Sequence, residues 1–230
     1  MLGTIVNCIT VILGSLVGIL FKKGISQKLS NSIMKALGLC VLYIGISGAL
    51  EGQNVLVVIL SMATGALIGE KADLDRRLEL LGKRLEQVVS RREGDGSVAK
   101  GFVAASLLFC VGAMSIVGSL QGGLTGNHET IFAKSLIDGV AAIVLASTMG
   151  IGVLFSAAFI LVYQGTIALC AGFLAPILTD AIIAEMTCVG SLLIIGLAFN
   201  MLDVVKLKVM NYVPAVFMPI VIYWIMELFK

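Results

Sequence analysis

Residues 12–20 read ILGSLVGIL and residues 116–124 read IVGSLQGGL. Each nine-residue stretch closes a strongly apolar segment. Each is followed by a short polar stretch and then by another apolar segment. Duplicated units in a very hydrophobic chain are a common way to build membrane transporters. The echo therefore points to an all-α polytopic membrane bundle, without naming a substrate.

Composition leads to the same class. The 230 residues are 59% hydrophobic and only 13% charged, and the mean hydropathy is +1.07. A soluble domain carries about 25% charged residues. Hydrocarbon demands such a deficit, because an ionised side chain at mid-membrane costs roughly 2.5–3.5 kcal/mol even on lenient scales. The lipid bilayer is thus the first partner, within a single integral membrane domain spanning 1–230. The net charge of +2 gives no footprint for nucleic acid. Cys8, Cys40, Cys110, Cys170 and Cys188 all lie in apolar segments, are odd in number and have no CxxC spacing. They read as small core residues, and no metal site or cofactor is expected. No basic residue precedes the first apolar run, so it does not read as a cleaved signal peptide.

A spanning helix needs about 20 mostly apolar residues. Eight segments qualify: 3–21, 31–50, 53–69, 99–121, 130–149, 152–174, 180–202 and 212–229. The fifth and sixth are divided only by Gly150-Ile151-Gly152, which reads as a tight turn. Pro214 and Pro219 are expected to bend the eighth. Basic residues cluster after the first helix (Lys22, Lys23, Lys28, Lys35), between the third and fourth (Lys71 to Lys100) and between the seventh and eighth (Lys206, Lys208). With eight spans these loops share one side, which the positive-inside rule makes cytoplasmic. The expected location is the bacterial plasma (inner) membrane, multi-pass, with both termini outside. Segment 70–96 carries Leu74, Leu78, Leu81, Leu85 and Val88 at alternating four- and three-residue spacing among charges of both signs. It reads as a cytoplasmic amphipathic helix inserted into the membrane domain.

The first copy of the echo lies on a helix running inward and the second on one running outward. Three helices separate their starts, so the two units read as an inverted three-plus-three repeat with two added helices. Gly14 and Gly18, like Gly118 and Gly122, are four apart. This small-xxx-small spacing lets helix backbones pack closely.

The fifth segment is the least lipid-like. It opens on His128-Glu129-Thr130 and contains Lys134, Ser135 and Asp138. Lys134 and Asp138 share a helix face at four-residue spacing. Asp138 lies about 12 Å beyond Thr130, near mid-membrane, where an acid must face protein or water. The pair reads either as a substrate or ion site, with Asp138 as ligand or proton carrier and Lys134 as counter-ion, or as a static brace. Intramembrane charges mark function by default, which favours the site. Gln164, Gln121, Asn7, Thr10, Ser147 and Asn200 are polar groups that could converge on it. Taken singly, each reads as glue between helices. Soluble-enzyme motifs are absent: there is no Walker loop, dinucleotide fingerprint or zinc spacing. The lone His128 reads as part of a solvated helix start.

The run 102–126, FVAASLLFCVGAMSIVGSLQGGLTG, is followed by Lys134-Ser-Leu-Ile-Asp138-Gly, by ASTMGIGV at 146–153 and by Gln164-Gly165. Together with Gly3-Thr-Ile-Val-Asn7, Gly14-Ser-Leu-Val-Gly18 and Gly69-Glu70, it resembles the domain of unknown function 554 family of YqgA/YdfK-like bacterial membrane proteins. The resemblance covers essentially the whole chain. It implies a polytopic inner-membrane protein and no settled activity.

Three function classes follow. The leading expectation is a secondary transporter or ion pathway for a small solute, with a site around Asp138, Lys134, Ser135, Gln164, Asn7, Gln121 and Asn200. The alternative is a non-transporting scaffold or regulator acting through 70–96. An intramembrane enzyme is disfavoured because no nucleophile–base or metal set is present. A homo-oligomer is left open.

Overall fold

A computed structural model describes residues 1–22, 27–77, 80, 97–111 and 113–228. Among them the structure is all-helical, with no strand. The helices are α1 (Leu2–Lys22), α2 (Gln27–Ala49), α3 (Val55–Ala72), α4 (Ser97–Cys110), α5 (Ala113–Leu124), α6 (Glu129–Met149), α7 (Gly152–Leu169), the single turn α8 (Ala171–Leu174), α9 (Asp180–Met201) and α10 (Met218–Leu228). A 3₁₀ segment, Val209–Phe217, leads into α10. Most of the amphipathic segment expected over 70–96, including Leu78, Leu81, Leu85 and Val88, lies outside the described residues.

Helix α6 shows which solvent this surface is built for. Lys134, Ser135 and Asp138 are buried, whereas Leu136, Ile137 and Val140 are exposed. A helix that buries its charges and presents its aliphatic residues is arranged for lipid, since in water the same helix would turn over. Leu13, Leu16, Leu20, Tyr43 and Val162 are exposed in the same way.

Among the described residues, seven helical segments are long and apolar enough to cross a membrane, and an eighth is added if α4 and α5 form one span. The expected continuous helix over 99–121 is broken: its two halves meet at 62°. The run has no proline, and its two halves pack on different surfaces. The amino-terminal half lies on α7, where a Cβ on Gly152 would meet the Val98 carbonyl oxygen. The other half lies on α6 and α7, with Gly118 against Ile131 and Gly123 against the Ala168 carbonyl oxygen. Two boundaries also shift. The sixth expected span ends at Leu169. The eighth starts as a 3₁₀ segment at Val209 with Pro214 inside it, because proline has no N–H for an α-helical bond. The turn between α6 and α7 is as tight as its glycines suggest, with Gly150 at φ 74°.

Helix α9 is the centre of the bundle, with 78% of its spanning window buried. Helix α2 packs along it through Gly38, Gly45 and Gly48, which face Leu202, Ile195 and Ser191. The 3₁₀ segment is fixed to the end of α3 by Asn211. Its Nδ2 donates to Glu70 Oε2 at 2.6 Å, and its Oδ1 accepts from the Asp75 N–H at 2.8 Å.

Helix α1 lies flat on α6. A Cβ on Gly14 would meet the Gly139 carbonyl oxygen, and one on Gly18 the Ile143 carbonyl oxygen. Gly118 and Gly122 approach the start of the same helix, at Ile131 and His128. Both copies of the echo thus place glycines where α6 or its approach must come close. These contacts bring the start of α1, the end of α5, the start of α6 and the end of α7 to one end of the bundle. Gly3 beside His128 and Gly165 beside Met1 agree.

Candidate functional site

Four helices meet at a buried polar cluster in that half of the bundle. Lys134 Nζ donates to both oxygens of Asp138, each at 2.8 Å, one helical turn along α6. Asn7 Nδ2 from α1 donates to Asp138 Oδ2 at 3.1 Å and to Gln164 Oε1 from α7 at 3.3 Å. Gln164 Nε2 donates in turn to Ser115 Oγ, at the start of α5, at 3.2 Å. Asn7, Gln164 and Ser115 are wholly buried, Asp138 is 3% exposed and Lys134 7%.

The chemistry of the partners fixes the orientation of the Asn7 amide. An ionised carboxylate only accepts, so Asn7 must turn its NH₂ group toward Asp138, and the second N–H then reaches Gln164. Its Oδ1 is left buried with no hydrogen-bond partner among the described residues. Lys134 carries three N–H donors, and both of its hydrogen bonds go to one carboxylate. Among the described residues the cluster therefore has no net charge, one unused acceptor and spare donor capacity at Lys134. Ser115 lies in the first turn of α5, just past the break. Backbone N–H groups in a first turn have no partner within their own helix.

Asn7, Lys134, Asp138 and Gln164 are thus brought together. Three other expected members are not. Ser135 turns back to the Ile131 carbonyl at 2.6 Å. Gln121 accepts from Thr130 Oγ1 at 2.9 Å and ties the end of α5 to the start of α6. Asn200 closes the turn after α9, donating to the Leu207 carbonyl at 2.8 Å and accepting from its N–H at 2.7 Å. Thr10 and Ser147 bond to carbonyls of their own helices. A cavity of about 270 Å³, bordered by Met62, Leu193, Gly196, Leu207 and Tyr212, shares no residue with the cluster and is lined mainly by apolar atoms.

Sequence reading missed two groups. Ser115 gave no signal of its own. Glu185 did, as an acid within Ile182-Ile183-Ala184-Glu185-Met186. It is wholly buried on α9. Its Oε1 accepts from the N–H groups of Gln53 (2.9 Å) and Asn54 (2.6 Å), which lead into α3, while its Oε2 has no partner among the described residues. The carboxylate thus ties the α2–α3 turn to the central helix. Glu185→Ala frees two buried backbone donors, so it should lower stability by about 1–3 kcal/mol. Glu185→Gln keeps an acceptor and should recover most of that loss. Thermal unfolding of the two variants in detergent checks the difference.

Comparison with known proteins gives the lineage. The family model described as "Protein of unknown function (DUF554)" matches residues 2–224. The chain belongs to the DUF554 family. This DUF554 protein is 31% identical over 233 residues to a Bacillus subtilis protein named "Uncharacterized membrane protein YdfK", covering 100% of this chain and 98% of that one. It is 27% identical over 228 residues to "Uncharacterized protein YqgA" of Escherichia coli, covering 97% of each. No solved structure matches. With a membrane-protein relative over its full length and seven or eight apolar helices, this DUF554 protein is a multi-pass membrane protein.

Proposed function

We propose that the protein is a secondary transporter or ion pathway for a small solute, and that the Lys134–Asp138 pair with Asn7, Gln164 and Ser115 is its site. One observation carries the reading. A buried ion pair takes a hydrogen bond from the amide of a second helix, which is itself held by the amide of a third, beside a span that is broken in two, and one amide oxygen of the cluster has no partner among the described residues. Discontinuous helices near the midplane are a recurring way of building substrate sites in transporters, because the freed ends of the half-helices supply dipoles and backbone groups.

Asp138→Asn tests the reading. The amide keeps the shape of the side chain but strands the Lys134 ammonium, so the melting temperature should fall on either reading, and solute-dependent flux per folded protein in proteoliposomes should be lost. The assay screens inorganic ions, organic acids, amines and amino acids. If the pair only braces the helices, flux stays intact in the folded fraction.

The membrane is taken to be the bacterial inner membrane, with both termini outside, on the distribution of basic residues. In a background without native cysteines, an impermeant thiol reagent applied to intact cells should label Thr125→Cys and spare Lys208→Cys. The reverse pattern contradicts this orientation. The inverted three-plus-three repeat belongs to the same reading. It requires α1–α3 to superpose on α4–α7 after rotation about an axis in the membrane plane.

A further inference from the structure

The valences left open in the cluster narrow the solute class, and this inference rests on the transport reading above. The site holds one positive and one negative charge in contact, with side chains 8% and 4% exposed. A lone anion bound to Lys134 would strand the Asp138 carboxylate. A lone cation bound to Asp138 would strand the Lys134 ammonium. Either leaves an unpaired charge in an interior closed to water, which must be neutralised by gain or loss of a proton or else borne at high cost. A solute bearing both charges avoids the problem: the internal pair opens and each partner meets its opposite on the solute.

The unpartnered atom separates the candidates further. Asn7 Oδ1 is an acceptor and lies on the residue that already bonds Asp138. A group that replaces Lys134 at the carboxylate and carries a second N–H can also reach Asn7. A carboxylate on the same solute can accept from Lys134 Nζ. We propose that the site takes a small zwitterion with an ammonium close to a carboxylate, the α-amino acid class, and passes it without net charge. The solute ammonium donates to Asp138 and Asn7 Oδ1, and its carboxylate accepts from Lys134. No covalent bond changes and no proton is transferred.

The test compares four labelled probes in proteoliposomes holding the full chain: glycine, glycolate, ethanolamine and glycine betaine. Glycolate lacks the ammonium, ethanolamine lacks the carboxylate, and betaine has both charges but no N–H. The expected result is glycine uptake exceeding the other three by at least about tenfold, since a site built around buried polar groups rejects analogues that leave them unpaired. The rate should not change when the membrane potential is set by a potassium gradient and valinomycin. Lys134→Met combined with Asp138→Leu, which removes the pair without stranding a charge, should abolish the uptake while the protein elutes as a folded species. Preferred uptake of glycolate, ethanolamine or betaine, or glycine uptake driven by potential, overturns the zwitterion assignment and leaves transport standing. Absence of flux for all four also overturns it. The transport reading fails only if the wider screen of ions and solutes is silent as well.

Discussion

Lys134→Met is expected to destabilise the protein far more than the double replacement of Lys134 by Met and Asp138 by Leu. The single change leaves a carboxylate buried with Asn7 as its only remaining hydrogen-bond donor among the described residues. Breaking a buried pair from one side costs about 3–5 kcal/mol, whereas replacing both partners by apolar residues of similar volume is often neutral or stabilising. Thermal unfolding of wild type, both single variants and the double variant forms a cycle that isolates the coupling. The expected order of stability is double variant near wild type, with Lys134→Met and Asp138→Leu both well below. A pair that is not desolvated would give two small, additive losses.

The second large effect is steric. Gly14→Leu or Gly18→Leu should prevent α1 from docking on α6, because the first added atom already meets a backbone carbonyl oxygen, of Gly139 or Ile143. A backbone oxygen cannot swing aside as a side chain can, so the helices must separate along their length. Overpacking costs typically about 1–3 kcal/mol, and these positions belong at or above that range. Because α1 carries Asn7, any protein that does fold should also lose the Asn7–Asp138 bond. Gly172→Ala is the control, since a Cβ there meets nothing within 4 Å among the described residues. Yield of monodisperse protein in mild detergent, with melting temperature, reads out both. Equal behaviour of Gly14→Leu and Gly172→Ala would contradict the packing described.

What the sequence disclosed followed from how costly each residue is in lipid. Lys134 and Asp138 stood out because a charge in an apolar span needs a reason, and Asn7 and Gln164 because an amide at that depth needs a partner. The same argument applied to Glu185 and would have found it. Ser115 could not be found this way. Serines in membrane helices commonly bond to a carbonyl of their own helix, as Ser119, Ser135, Ser147 and Ser156 do, and residue type does not mark the one that faces a neighbour. Gln121 and Asn200 misled for a related reason: near helix ends, local backbone and side-chain partners are within reach. The break between α4 and α5 was illegible because hydropathy reports whether a segment prefers lipid and carries no information on its direction. Within residues 12–20 and 116–124, Gly14, Gly18, Gly118 and Gly122 lie close to α6 or the residues that lead into it, and Gly123 lies against α7.

The most direct test of the central claim is solute flux through the protein with Lys134→Met and Asp138→Leu, measured in proteoliposomes against wild type at equal amounts of folded protein. Stability and transport separate in this variant, because it removes both charges while leaving no buried charge unpaired. The expected result is a folded protein with a melting temperature close to wild type and no flux. Wild-type flux in the double variant would contradict the assignment of the pair as the site and reduce it to a brace.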